Sequence, residues 1–288
     1  MQPSFLLDTS AFKALRTCQL EAASRSVSVY ASPFCFWELL THLEDDEQFR
    51  RVKGNLMKFR HVAVLDDPHA EVYRLVFPSS DKVHTRVRDG DLVYAALAAL
   101  DDSRSTQEFY ERFIQDESGQ IRSIAGCGSA VRGVLQTEEN RFQTLLREIA
   151  AAVRAEKVRL IEASDYDQGV QDLSRGWWLQ VGDRATEAPA VYEQFVRKTY
   201  LYHSYLIRRA GEYATRDTDW IDPNDFEDAR LCLHLGLDDF TAVVTNDAAL
   251  RRCLEASLGA LNAMADATRH TPLKVWDTTA FAGDPKTG

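Results

Sequence analysis

Pro3-Ser4-Phe5-Leu6-Leu7-Asp8-Thr9-Ser10 opens the chain with a short apolar run that stops abruptly at an acid. A run this short, bounded by Pro and Asp, predicts a buried strand rather than a helix. Thr9 and Ser10 can cap a helix, and residues 11–20 read as one. Residues 26–32 alternate polar and apolar, predicting a second strand that Pro33 ends. Beyond it, helices are expected over 34–49 and 49–60, and a third strand over 61–66. Strand and helix alternating from the start point to a parallel α/β sheet.

The middle reads differently. Between about residues 78 and 220 the pattern is helical, over 91–100, 106–115, 138–162 and 190–215, with no convincing strand. The Gly-rich stretch 124–129 and residues 176–189 read as connections. Alternation then resumes with a helix over 224–235, Gly236 as its stop, a strand over 241–245, a helix over 248–261 and a last strand over 271–276. The expected layout is one α/β domain from 1–77 and 221–288, interrupted by a helical insertion over 78–220.

Composition narrows the function. The 288 residues are 45% apolar and 27% charged with a net charge of −10, which suits a globular chain and excludes a basic nucleic-acid-coating protein. No apolar run approaches the roughly 20 residues that span a bilayer, so no membrane association is expected. The start carries no signal-like segment, and the five cysteines form no CxxC pair. A reduced, cytoplasmic protein without a zinc site is the expectation.

Ligands of open parallel sheets bind at the carboxyl ends of the strands. Asp8 and Asp247 follow predicted strands, Glu38 lies early in the helix after the second, and Asp225 and Asp228 open the helix before the 241–245 strand. Carboxylates gathered without Lys or Arg repel one another unless cations neutralise them, and all-oxygen ligation suits Mg²⁺ or Mn²⁺.

Phe5-Leu6-Leu7-Asp8-Thr9-Ser10, Ser32-Pro33 followed by Trp37-Glu38-Leu39, Asp225-x-x-Asp228-Ala229 and Val243-Val244-Thr245-Asn246-Asp247 resemble, in order, the motifs of PIN-domain nucleases. The resemblance covers roughly the first 75 and last 70 residues. It implies a three-layer α/β/α fold and Mg²⁺- or Mn²⁺-dependent hydrolysis of RNA. Asp8, Glu38, Asp228 and Asp247 would be the catalytic acids and metal ligands, with Asp225 in reserve and Ser10, Thr245 and Asn246 ordering the site. Asp91, in Asp89-Gly90-Asp91-Leu92-Val93, mimics the third acid, but no Val-Val-Thr-Asn-Asp strand follows it. A homo-oligomer and an antitoxin-like protein partner are both compatible with the resemblance, although family toxins lack so long an insertion.

Within that insertion Arg197, Lys198, Arg208 and Arg209 alternate with Tyr200, Tyr202, Tyr205 and Tyr213. Such mixtures suit single-stranded RNA, the cations meeting phosphates and the rings stacking on bases. An amphipathic helix with its tyrosines in the core is the competing reading. Trp177-Trp178 reads as a packing anchor. A catalytically silent PIN-like binding module is the alternative function.

Overall fold

The computed structural model describes residues 2–43, 46–76, 89–115, 119, 121–155, 163–181, 189–216, 220–264 and 272–283. Five strands, β1 (Ser4–Leu7), β2 (Ser28–Ala31), β3 (Ala63–Val64), β6 (Ala242–Val244) and β7 (Lys274–Trp276), form one parallel sheet in the order β3-β2-β1-β6-β7. From β1 the chain builds outward to β2 and β3, then returns to add β6 and β7 on the other side. The order therefore reverses between β1 and β6, where Leu7 pairs with Val244. Helices diverge from such a point and leave a crevice at the strands' carboxyl ends.

Both faces of the sheet are covered, as its continuous apolar strands require. Phe5 and Leu7 join an apolar cluster built on α1 (Thr9–Ala14), α2 (Thr17–Ser24), α3 (Pro33–Thr41) and α4 (Asp46–Leu56). Leu6 and Val243 face the opposite way, into a cluster shared with α10 (Pro189–Thr215), α11 (Asn224–Leu237) and α12 (Ala248–Met264). Period-two alternation thus splits one strand between two cores.

The middle segment shares these cores. α6 (Asp89–Asp101), following α5 (Pro68–Val76), places Val93, Leu97 and Leu100 in the first cluster. α8 (Ile124–Ala155) adds Phe142 and Leu146 to the second, and α9 (Ala163–Val181) adds Val170. Trp178 packs with Phe195, Val72 and Leu233, consistent with its reading as an anchor.

Several local expectations are corrected. The helix read over 11–20 is two, because Leu15 is extended and buried where α1 ends. The one read over 34–49 ends at Thr41, and α4 begins at Asp46. The helix read over 106–115 stops after α7 (Thr106–Tyr110), and β4 (Phe113–Gln115) pairs antiparallel with β5 (Ile121–Ser123). The middle segment therefore contains a hairpin, with Gly119 at φ +80°. The Gly-rich 124–129 stretch is the first turns of α8, and residues 176–181 belong to α9. The remainder of that connection, 182–188, lies outside the described residues, as does the start of the insertion at 78–88. Gly236 does not stop α11, which runs on to Leu237; a Cβ there would collide with the Lys198 carbonyl oxygen, so glycine lets α10 and α11 touch. Among the described residues no helix is long and apolar enough to cross a membrane.

Candidate functional site

Asp8 leaves β1 in extended conformation and becomes the N-cap of α1. Its Oδ2 accepts from the Ser10 amide at 3.3 Å, the Ser10 hydroxyl at 2.5 Å and the Thr245 hydroxyl at 2.9 Å. Each hydroxyl also accepts a backbone N–H from the loop after β6: Asn246 N donates to Ser10 Oγ and Asp247 N to Thr245 Oγ1, both at 2.9 Å. Two side-chain hydroxyls thus clamp the ends of β1 and β6 together across the switch point. Asn246 uses its amide to hold Thr278, at the start of α13 (Thr278–Gly283).

Asp247 caps α12, its Oδ1 accepting from the Ala249 and Leu250 amides at 2.7 and 2.8 Å. Asp228, on the first turns of α11, is 8% exposed and accepts at Oδ2 from the Tyr205 hydroxyl at 3.0 Å. Burial, then the charges of Asp8 and Asp247, push its carboxyl well above the ordinary range. Asp8 is raised too, by burial that outweighs its hydrogen bonds.

Glu38 is half-buried on α3. Its Oε1 accepts from Lys13 Nζ at 2.8 Å, while its buried Oε2 receives no hydrogen bond from a conventional donor. Its neighbour there is another carboxyl, Glu227. Burial and the Glu38 charge push Glu227 well above the ordinary range, whereas Glu38, despite burial, is held low by Glu227, Lys13 and Thr9. Spacing does not single out Glu227, because it lies off the helix face that Asp225 and Asp228 share. Lys13 also corrects the expectation of carboxylates without cationic partners, although at 42% side-chain exposure it is a weak counter-ion.

Asp225, the reserve ligand, has another task. It is 2% exposed; its Oδ1 takes Arg209 Nε at 2.7 Å and lies 2.8 Å from the Tyr205 hydroxyl, while Oδ2 takes the Tyr213 hydroxyl at 2.5 Å. These contacts fix it as the centre of a buried structural network. Arg209, expected at an RNA surface, is 3% exposed and spent on Asp225, Glu212 and the Tyr213 hydroxyl. Arg208 Nε reaches Ser257 Oγ at 2.9 Å, Lys198 Nζ reaches the Leu237 carbonyl at 2.6 Å, and Arg197 is half-buried. Tyr200, Tyr205 and Tyr213 are core residues, and Tyr202 packs against Trp177, so the packing reading holds for the tyrosines.

Asp91 lies elsewhere, in a cleft of about 760 Å³ beside the end of β3, lined also by Asp66, Arg74, Lys198 and His234.

The acids thus line one sheet edge, but they stop short of a closed ligand set: among the described residues no three His, Cys, Asp or Glu side chains are drawn together as a metal ion needs. The donors are nonetheless all hard oxygens. That chemistry fits Mg²⁺ or Mn²⁺ and not a soft metal. No protein-family model matches this chain, and no curated protein or solved structure is significantly similar to it.

Proposed function

We propose that the chain is a PIN-like, Mg²⁺- or Mn²⁺-dependent endoribonuclease, with residues 78–220 as an insertion in an α/β/α nuclease domain. The observation that carries the reading is the Asp8–Ser10–Thr245 clamp at the switch point, with Asp228 facing the charges of Asp8 and Asp247. Asp8, Glu38, Asp228 and Asp247 would hold the cation, which when bound supplies an activated water and charge neutralisation at the phosphate. Ser10 and Thr245 fix the Asp8 carboxylate and the 246–247 backbone in one geometry. Glu227 stands beside Glu38, its carboxyl pushed up by burial and by the Glu38 charge. Asp247 is oriented by the α12 amides it caps.

A second reading, a PIN-like module that binds RNA or protein without cutting it, is favoured by one feature, the absence of a closed ligand set among the described residues. The two separate in one assay. Single-stranded RNA incubated with Mg²⁺ or Mn²⁺ should be cleaved by the wild type, spared in EDTA, and spared by Asp8→Asn, which keeps size but removes charge. Cleavage that survives EDTA or Asp8→Asn would contradict the nuclease reading. Retention of RNA without any cleavage by the wild type would favour the binding module.

A further inference from the structure

Tyr205 belongs to α10, in the middle segment, yet its hydroxyl reaches across to two acids on α11. It lies 2.8 Å from Asp225 Oδ1 and 3.0 Å from Asp228 Oδ2, with the ring 1% exposed. A phenol has one proton and cannot donate to both. Asp225 is already served by Arg209 and by Tyr213. Asp228, among the described residues, receives no other hydrogen bond than that from Tyr205. The shared hydroxyl thus joins a carboxylate locked by a buried guanidinium to one that faces the charges of Asp8 and Asp247.

We propose that Tyr205 is a positioning residue for cation binding: its one hydroxyl proton, not needed by Asp225, is donated to Asp228 and orients that carboxylate toward the site. The inference rests on the nuclease reading and deepens it, because it makes the middle segment part of the active site's support. Arg209 holds Asp225 through Nε and reaches the Tyr213 hydroxyl at 3.0 Å, and Tyr213 in turn receives the Asp222 amide at 2.9 Å. Asp225 is thus served without the Tyr205 proton. Groups of this kind, one bond removed from a ligand, commonly change metal affinity about 10–100-fold when lost.

The test is Tyr205→Phe, which keeps the buried ring and removes only the hydroxyl, beside Tyr213→Phe, which removes a hydroxyl from Asp225 but none from Asp228. Mn²⁺ binding is read by calorimetry on the full chain, and RNA cleavage is read as a function of Mn²⁺ concentration. Tyr205→Phe should weaken Mn²⁺ binding roughly 10-fold or more and raise the half-saturating Mn²⁺ for cleavage by the same factor. The rate at saturating Mn²⁺ should change far less, and Tyr213→Phe should bind Mn²⁺ like the wild type. Equal Mn²⁺ affinity in wild type and Tyr205→Phe overturns the proposal and leaves the nuclease reading standing. A wild type that binds no Mn²⁺ overturns both. Should Tyr205→Phe fail to fold, 3-fluorotyrosine placed at position 205 of the full chain provides the readout: saturating Mg²⁺ should shift its ¹⁹F resonance, and an unmoved resonance overturns the proposal.

Discussion

Arg209 Nε donates to Asp225 Oδ1 at 2.7 Å, joining α10 to α11 through two side chains that are each no more than 4% exposed. Two acids three residues apart on one helix face thereby acquire opposite characters. Asp225 has a guanidinium and two phenols about it; Asp228 has one phenol and the fields of other acids. The first is a keystone of the fold. The second is buried beside acids whose charges raise its pKa.

Asp225→Asn should therefore damage the fold. It leaves the Arg209 guanidinium buried with only Glu212, itself half-exposed, as a charged partner. Breaking a buried pair from one side costs about 3–5 kcal/mol. Urea titration of wild type and variant measures it, and a loss below about 1 kcal/mol would refute the keystone role.

Asp228→Asn should act in the other direction when no divalent cation is present. Burial and the charges of Asp8 and Asp247 raise the folded pKa of Asp228, so the stability it gives is full below about pH 4, its unfolded pKa, and is lost as pH rises through the raised folded value. At pH 7 in EDTA the asparagine variant should melt higher than wild type, and the gap should shrink as pH approaches 4. A variant that melts lower at pH 7 would mean that Asp228 already has a counter-charge.

Gly236→Ala tests the contact between α10 and α11. The added methyl would run into the Lys198 carbonyl, and backbone on both sides must shift. Overpacking of this kind costs about 1–3 kcal/mol, against a gain in helix propensity of about 1 kcal/mol for removing glycine. The variant should lose stability in urea; an unchanged or raised midpoint would show that the helices can separate without penalty.

How much of this was legible in sequence depends on the range of the force involved. β1 and β6 announce themselves because a strand buried on both faces is a short apolar run, β2 because polar and apolar residues alternate along it, and Pro33 marks the end of β2's extension. Asp8, Thr245 and Asp247 could be placed at strand ends for the same reason. Gly236 reads as a stop because propensity treats glycine as one, whereas here the packing of α10 on α11 overrides it. The β4–β5 hairpin was hidden because Phe113 and Ile121 are exposed, so no alternation against a core marks its strands. The roles of Asp225 and Arg209 depend on a contact across 16 residues between two helices, and spacing along either helix does not reveal it. Glu227 was missed for a related reason: its partner, Glu38, lies on α3, far away in sequence.

Acid should destabilise the protein through His203. This imidazole is buried against Ser174, whose hydroxyl lies 2.8 Å from Nδ1, and burial holds its pKa down to about 3. In the unfolded chain it takes a proton near pH 6.5. Between these values the unfolded state binds the extra proton, so the stability due to neutral burial is intact above about pH 6.5 and falls steadily toward pH 3. Each unit of that difference is worth about 1.4 kcal/mol. His234, also buried and held to about 3, adds a parallel loss with the same sign. The measurement is unfolding free energy by urea at pH 7.5, 6.0 and 5.0 for wild type and His203→Gln. The glutamine variant should begin less stable, through imperfect packing, but lose less on acidification, because one of the two buried imidazoles is gone. Parallel pH profiles for the two proteins would show that His203 is protonated without cost in the folded state, and the neutral, buried assignment would then fail.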